Sequence, residues 1–377
     1  MVRPYTAILI VPTGVGASIG GYAGDALPIA RAMAGVCDRL ITHPNVMNGA
    51  VLYWNLPNTL YVEGYALDQF AAGRWGLSEV HQNNIGLILD QGIEADLRLR
   101  NLQAADAARA TLGLSITDYV ITDAPLNVEL RMSESGASWG TITNPDSLLR
   151  AADKLINQAR ANAIAVVARF PDEVDAEADR NYRMGQGVDT IAGAEAVISH
   201  LIVRTFKIPC AHAPAFSPPE LDANLSPRSA AEELGYTFLP SVLVGLSRAP
   251  QFVVDSKSNF EQERYLTSET QPKWLNPLNL SNSGEIWANQ VDAIVLPANT
   301  CGSSAVLSLN KLSHHQQCLA IAVKENHTQM QVSPAALGIK ALEVNSYLEA
   351  IGVLAAHKAG VNVSIFNLAI SQLLEYK

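Results

Sequence analysis

The sequence predicts an α/β fold, with a mainly parallel sheet that carries helices on both faces. Short apolar runs alternate with segments of helical periodicity, which is typical of βαβ units. The runs at 8–11 and 294–296 are continuously apolar, as expected for strands buried on both faces of a parallel sheet. Each run meets a proline, Pro12 or Pro297, and then a loop of small residues. We therefore expect both ends of the chain to contribute strands to one sheet.

The individual elements follow from apolar runs, helical spacing and turn residues. Strands are predicted at 6–11, 36–42, 51–54, 60–62, 85–89, 119–121, 164–168, 208–211, 240–246, 293–296, 319–323 and 340–342. Helices are predicted at 25–34, 64–73, 94–112, 145–162, 171–184, 193–205, 228–234, 305–312 and 345–358. Asp25 is the expected N-cap of the first helix, and Gly113 the C-cap of the third. The turn at 55–58 predicts a hairpin between the strands on either side of it.

Three α/β regions are expected along the chain: 1–130, 145–255 and 286–377, the last completing the sheet of the first. Residues 133–143 are rich in Gly and Ser, which predicts a mobile loop or an internal boundary. Residues 256–285 are polar and have no clear period, so we expect an irregular excursion or lid there.

The composition narrows the functional classes. The net charge of −10 and the absence of a basic run argue against nucleic acid as the main partner. Only 16% of the residues are charged and 48% are hydrophobic, which indicates a large core or a subunit interface. We expect a homo-oligomer, with a large Ala-rich domain as the alternative explanation.

The cysteine content and the N-terminus predict a soluble, cytoplasmic protein. The four cysteines form no CxxC pair, which in a chain of 377 residues indicates free thiols in a reducing compartment. We find no pattern of a signal peptide and no apolar run long enough to cross a bilayer. A membrane partner is therefore not expected.

Four of the predicted strands end in small, polar clusters, which points to one shared pocket. The clusters are 12–25, 42–45, 297–302 and 324–328. Ligands of open α/β sheets bind outside the carboxyl ends of the strands, so we expect these clusters to surround one cavity.

The Gly-rich loop, residues 14–24, follows the first strand. Its spacing differs from the GxGxxG dinucleotide fingerprint, and it lacks the lysine of a P-loop. Backbone N–H groups can still approach an anion there, so Thr13, Gly14, Gly16 and Ser18 are predicted to bind a phosphate or carboxylate. The alternative is a turn that only glycine can make, with Gly16 at a positive φ.

The cluster after strand 293–296 contains a candidate nucleophile. Cys301 is expected near a helix N-terminus, where the dipole favours the thiolate. Asn299 and Thr300 are predicted to contact the ligand. The alternatives are an inert buried thiol and a structural turn.

Histidine and acidic residues supply further candidates. His43 and Asn45 directly follow a predicted strand and are assigned to the reacting end of the ligand. A metal or acid–base cluster is the alternative site, although no spacing matches a known ligand set. Its candidate members are His43, Asp189, Glu195, His200 and His212. For His200, a core position is the more conservative interpretation.

Two further groups complete the candidate list. Glu325 and Asn326 follow a buried strand and can act as a general base and its orienting partner, unless they belong to a solvated loop. Arg228 can bind an anionic group, but an ordinary surface pair with Glu232 four residues later is the simpler interpretation.

Four segments resemble an uncharacterised protein family of cyanobacteria and plastids, over nearly the whole chain. They are IVPTGVGASIGG (10–21), THPNVMN (42–48), GAEAVISH (193–200) and VKEN (323–326). The resemblance implies a cytoplasmic or stromal setting. It brings no reaction and no catalytic residue.

The sequence thus favours an enzyme that acts on a small anionic metabolite, although it does not identify the reaction or a cofactor. A metal-dependent hydrolase or lyase is one alternative. A non-catalytic ligand-binding or assembly protein with the same pocket is the other.

Overall fold

Two parallel sheets frame the fold, which confirms the predicted α/β class. The computed structural model describes residues 3–48, 55–172, 176–217, 221–234, 238–254, 284–316, 318–366 and 372. Its strands are β1 (Thr6–Leu9), β2 (Arg39–Thr42), β3 (Thr59–Tyr61), β4 (Trp75–Ser78), β5 (Ile85–Leu89), β6 (Ile116–Ile121), β7 (Val128–Met132), β8 (Ser138–Ile142), β9 (Ala163–Arg169), β10 (Cys210–Ala215), β11 (Gln251–Val254), β12 (Glu285–Ile286), β13 (Val291–Pro297), β14 (Leu319–Val323) and β15 (Ala341–Val344).

Helices flank both sheets. They are α1 (Leu27–Ala34), α2 (Pro44–Met47), α3 (Gly64–Ala71), α4 (Ala95–Leu112), α5 (Pro145–Asn157), α6 (Ala176–Arg183), α7 (Ala192–Phe206), α8 (Ala230–Glu233), α9 (Leu239–Ser247), α10 (Ser304–Gln316) and α11 (Tyr347–Lys358). Short 3-10 turns lie at Ala288–Gln290, Ala335–Leu337 and Val363–Phe366.

The first sheet joins the two ends of the chain. Its strand order is β15-β14-β13-β1-β2-β3, and all neighbours are parallel. Ile8 of β1 lies beside Ile294 of β13 on one side and beside Ile41 of β2 on the other. The chain winds away from β1 through β2 and β3, and returns at β13 on the opposite side. This reversal creates a topological switch point between β1 and β13.

The second sheet is built from the segment between β3 and β13. Its order is β10-β9-β5-β6, again parallel throughout. A three-stranded sheet, β11-β4-β12, and the hairpin β7-β8 are antiparallel. This insertion, the segment between β3 and β13, is therefore joined to the first sheet at both of its ends.

A continuous core fills the space between the two sheets. Ile8 and Ile294 of the first sheet belong to the same apolar cluster as Ile88 of the second, together with Phe70 and Ile198 from the helices between them. Helix α3 packs against both α7 and α10 in this layer, and α7 also packs on β10. On the outer faces, α4 and α9 cover the second sheet, and α1 and α11 cover the first.

The strand predicted at 240–246 is wrong, because these residues form helix α9. Pro240 stands in the first turn, where it leaves no orphaned donor. The helix is buried on nearly every side, and Gly245 allows close contact with the ring of Tyr61. A buried helix and a buried strand give the same apolar run, so periodicity does not separate them.

Two local predictions also differ from the structure. Residues 133–143 belong to the β7-β8 hairpin. Strand β3 pairs in parallel with β2, and the hairpin predicted between it and residues 51–54 lies outside the described residues. Helix α1 begins at Leu27, and Asp25 binds Arg228 instead of capping it. The excursion expected at 256–285 falls almost entirely outside the described residues.

Asp90 fixes the carboxyl end of the second sheet. Its buried carboxylate accepts hydrogen bonds from the backbone N–H groups of Gly92 and Leu126, both at 2.9 Å, and of Arg169 at 3.1 Å. Gly92 follows β5, Leu126 lies between β6 and β7, and Arg169 is the last residue of β9. One side chain thus satisfies buried backbone groups that have no sheet partner.

We predict that Asp90→Ala lowers the free energy of unfolding by about 2–4 kcal/mol, because it leaves three backbone donors unsatisfied. Urea unfolding measures the loss. The control is Asp106→Ala on the exposed face of α4, which should change stability by no more than about 0.5 kcal/mol. Equal effects of the two substitutions would contradict the assigned role.

Candidate functional site

A cavity of about 910 Å³ lies where the carboxyl ends of the two sheets meet. Residues that follow β2, β3, β9 and β10 line it, together with the N-terminal half of α7, the first turn of α9 and one face of α4. Helices α6 and α8 also contribute to the wall, as do Thr13 and Ala23 at the Gly-rich loop. The cavity thus occupies the edge at which ligands of parallel sheets bind.

The cavity lining is rich in carboxyl groups. Its acidic members are Glu63, Asp172, Asp179, Asp189, Glu195, Glu232 and Glu233. The lining arginines are Arg100 and Arg183, and the guanidinium of Arg183 contacts Glu233. Three histidines, His43, His200 and His212, also face the cavity. This excess of acidic groups favours uncharged or cationic molecules over anions.

Asp189 is the carboxyl group with the clearest acid–base character. Its Oδ1 accepts the backbone N–H of Ile191 at 3.0 Å, directly before α7. Burial, and to a lesser extent the nearby charge of Glu195, together raise the pKa of Asp189 to about 7. A carboxyl group with such a pKa carries a transferable proton near neutral pH.

Glu232 connects the cavity wall to the Gly-rich loop. One of its oxygens accepts the backbone N–H of Ala23 at 2.6 Å, and the hydroxyl of Tyr182 donates to the carboxylate at 2.8 Å. Burial raises the pKa of Glu232 well above its usual value, and Asp189 adds to the effect. Tyr182 also stacks on Tyr22, with 4.5 Å between the ring centroids. Glu232 is therefore no surface partner of Arg228.

Two of the three cavity histidines, His200 and His212, each lie beside a glutamate. His212 Nε2 lies 3.7 Å from Glu195 Oε2, and its Nδ1 lies 3.2 Å from the hydroxyl of Ser199. His200 Nε2 lies 2.8 Å from Glu63 Oε1. Burial lowers the pKa of His200, but the hydrogen bond and charge of Glu63 outweigh it, so the net shift is upward.

Glu63 has a structural role as well. Its Oε2 accepts the N–H groups of Tyr65 and Ala66 and caps helix α3. Asp189, Glu195, His200 and His212, which the sequence groups together, therefore do line one cavity. Within the described ranges, however, no three His, Cys, Asp or Glu side chains are arranged to hold a metal ion.

Of the residues assigned from the sequence to catalysis or ligand binding, Thr13, His43 and Asn45 line the cavity. Asn45 uses its amide N–H to bind the carbonyl of Gly20 at 2.9 Å. His43 accepts the backbone N–H of Val11 at 3.1 Å on its Nε2.

Backbone N–H groups of the Gly-rich loop already donate hydrogen bonds to acceptors of the same chain. Four of its N–H groups donate to other parts of this chain: Ser18 to His327 O, Ile19 to Asn326 Oδ1, Ala23 to Glu232 Oε1 and Gly24 to Asn45 O. Asp25, directly after the loop, binds Arg228 at 2.8 Å. Burial raises the pKa of Asp25 to about 6 against the effect of this arginine. The chain thus supplies its own acceptors to the loop expected to bind an anion.

The glycines of the loop are needed for its conformation. Gly14 and Gly16 have φ values of +67° and +62°. A Cβ on Gly14 would collide with Ser138, and one on Gly16 would lie 3.0 Å from the carbonyl oxygen of Gly187. Gly14 and Gly16 therefore fit the second interpretation of this loop, a turn whose backbone conformation requires glycine.

Glu325 and Asn326 meet the Gly-rich loop but lie outside the cavity lining. Asn326 is buried, and its Nδ2 donates to Ile19 O and to the hydroxyl of Tyr347, both at 2.8 Å. Glu325 Oε1 accepts the N–H of Tyr347 at the start of α11. Both side chains thus serve as local structural connections.

The cluster after β13 also lies outside the cavity lining. The Cys301 thiol is buried beside the carbonyl of Ala298 at 3.6 Å, and burial raises its pKa to about 11. This is the opposite of an activated thiol. Asn299 binds Thr328 through its side chain, and the Thr300 hydroxyl donates to Pro297 O.

The chain belongs to the family described as "Protein of unknown function (DUF3326)", which matches residues 6–367. An uncharacterised lipoprotein of a Synechococcus strain (PCC 6301) is 55% identical over 363 residues, 96% of this chain and 92% of that protein. No solved structure matches the chain. These findings confirm the resemblance to an uncharacterised cyanobacterial family.

The predicted cytoplasmic location is wrong, because it is contradicted by this relative, which is described as a lipoprotein. Free cysteines, on which the prediction rested, show that the fold needs no disulfide, and do not define a compartment. In the part of the chain that the structure describes, no helix is long and apolar enough to cross a bilayer. The homo-oligomer stays a prediction.

We predict that Gly16→Ala destabilises the protein more than Gly73→Ala does. Both glycines have positive φ, but a Cβ at Gly73 meets nothing within 4 Å. The matched pair separates backbone strain, about 1 kcal/mol in each variant, from crowding at Gly16, about 1–2 kcal/mol more. Urea unfolding measures both. Equal losses of unfolding free energy would show that the backbone at Gly187 moves away from the new Cβ at little cost.

We predict that Asp189 makes stability fall as the pH rises. An unfolded aspartate loses its proton near pH 4, whereas the folded group retains it to about pH 7. The folded state thus binds more protons between these values, so stability decreases with rising pH until about pH 7 and then levels off. Asp189→Asn should remove part of this decrease and exceed the wild type by about 1–3 kcal/mol at pH 8.

Urea unfolding at pH 4, 6 and 8 tests this prediction. Asp106→Asn serves as the matched control and should follow the wild-type profile, because Asp106 is exposed on α4. Parallel pH profiles for wild type and Asp189→Asn would show that Asp189 titrates normally.

Proposed function

We propose that this DUF3326 protein is an enzyme that transfers protons on a small polar molecule in the cavity between its two sheets. The feature that supports this best is the position of Asp189 in the wall of a 910 Å³ cavity, where burial and the charge of Glu195 raise its pKa to about 7. Such shifts cluster at catalytic sites, where burial and like charges tune an acid for work near neutral pH.

Asp189 and Glu195 take opposite roles in the proposed reaction. The negative charge of Glu195 helps to keep Asp189 protonated, so Asp189 is the general acid and Glu195 the general base. His212, 3.7 Å from Glu195, can accept the proton that the base removes. The Ser199 hydroxyl, at 3.2 Å from Nδ1, orients the imidazole.

The lining also limits the substrate class. Carboxyl groups and imidazole rings offer hydrogen bonds to hydroxyl and amino groups, and the negatively charged carboxylates oppose a phosphate or carboxylate. The small anionic metabolite expected from the Gly-rich loop is therefore not the favoured substrate. We propose an uncharged or cationic molecule rich in hydroxyl or amino groups.

An untargeted assay tests for turnover without a known substrate. Purified protein is incubated with a small-molecule extract of cyanobacterial cells, and mass spectrometry follows the compounds over time. The wild type should deplete one compound and generate another of related mass. We expect a rate that falls above about pH 7, since Asp189 must be protonated to act as the acid.

Matched variants separate catalysis from binding. Asp189→Asn and Glu195→Gln should each lower the rate by about 100-fold or more, and Asp106→Asn on the exposed face of α4 should leave it unchanged. A compound that co-purifies with the protein and is never converted would instead favour the non-catalytic binding protein. Full activity in both cavity variants would exclude the assigned acid and base.

A further inference from the structure

His43 lies in the cavity wall, and a hydrogen bond from the backbone determines which of its ring nitrogens carries the proton. It directly follows β2, precedes α2 and lines the cavity. Its Nε2 accepts the backbone N–H of Val11, the second residue after β1, at 3.1 Å. The side chain makes no capping bond to α2. The imidazole is therefore held by the neighbouring strand rather than by its own helix.

This contact determines the tautomer of His43. A ring nitrogen that accepts a hydrogen bond carries no proton, so the proton of the neutral ring lies on Nδ1. Burial lowers the pKa of His43 to about 4, which keeps the ring neutral at physiological pH. Among the described residues, Nδ1 has no hydrogen-bond partner. His43 thus offers a donor rather than a base.

A second donor stands at the other end of α2. Asn48, buried in the cavity wall, accepts the hydroxyl proton of Tyr61 on its Oδ1 at 2.8 Å. Burial raises the pKa of Tyr61, so its hydroxyl remains a donor at neutral pH. The Nδ2 group of Asn48 has no acceptor among the residues described. Both ends of one short helix therefore carry an unused N–H group.

We infer that His43 Nδ1–H and Asn48 Nδ2–H form a subsite for an oxygen acceptor, such as a carbonyl or hydroxyl oxygen of the ligand. The subsite rests on the proposed function only in placing a ligand in this cavity. Neutral donors bind such an oxygen without requiring a negative charge, consistent with the carboxyl-rich lining elsewhere. Of these two residues, sequence reasoning selected His43 but assigned it to catalysis.

The first test reads the tautomer directly. In protein labelled with ¹⁵N-histidine, the His43 ring should show a protonated Nδ1 and a bare Nε2, unchanged between pH 5 and pH 8. A proton on Nε2, or a titration in this range, would overturn the inference.

The second test uses dimethyl sulfoxide, which only accepts hydrogen bonds, as the probe. Titration should shift the Asn48 side-chain amide signal in a saturable way. His43→Gln keeps an acceptor for Val11 and should fold normally, but it has no N–H group at the Nδ1 position and should bind the probe about tenfold more weakly. His43→Asn keeps a donor near the Nδ1 position and should bind within about threefold, with a lower Tm because Val11 loses its acceptor.

The opposite pattern, with normal binding by His43→Gln and loss of binding by His43→Asn, would assign His43 a purely structural role. An unsaturable shift in the wild type would also overturn the subsite. Because the probe requires no turnover, an inactive protein that still binds dimethyl sulfoxide would refute the proposed enzyme and support the subsite.

Discussion

The parallel pairing of β1 with β13 is the constraint on which the other features depend. It places Ile8 beside Ile294 and so brings the two ends of the chain into one sheet. The segment between β3 and β13 must then leave this sheet and return to it, and it forms the second parallel sheet on the way. Because one core joins both sheets, the carboxyl ends of β2, β3, β9 and β10 are held around the same space. The cavity is thus a consequence of how the insertion is anchored.

Desolvated carboxyl groups are costly, and this cavity contains several. Each of the most buried ones is held by backbone N–H groups: Asp189 by Ile191, Glu232 by Ala23, and Glu63 by the first turn of α3. These bonds offset only part of the lost hydration, so Asp189 and Glu232 respond with raised pKa values. A stable core of the same shape would not need two neighbouring acids. The proposed proton chemistry gives these two acids a role that stability does not require.

The sequence predicted what depends on local pattern. Continuous apolar runs identified the parallel strands, and the residue after β2 identified His43. Asp189, Glu195 and His212 were grouped as an alternative cluster, because each lies in or next to a predicted apolar helix or strand. Glu232 and Tyr182 were missed because their contacts join segments far apart in the chain, and no local spacing reports such a contact. Helix α9 was missed because burial on all sides removes the period that distinguishes helix from strand.

The loops at 14–18 and 299–301 do not line the cavity, because contacts between distant segments fill the space beside them. The rule for open sheets points to the switch point between β1 and β13, and the predicted residues at 14–18 and 299–301 do lie there. That space is occupied by Asn326, which bonds both the N–H and the carbonyl of Ile19, and by the segment after it. The crevice that remains open lies on the β2 and β3 side. The Gly-rich loop still serves this crevice, because its Ala23 N–H holds Glu232 in the cavity wall. A loop with the features of an anion site thus binds an acid of its own chain, and that acid, Glu232, lines the cavity.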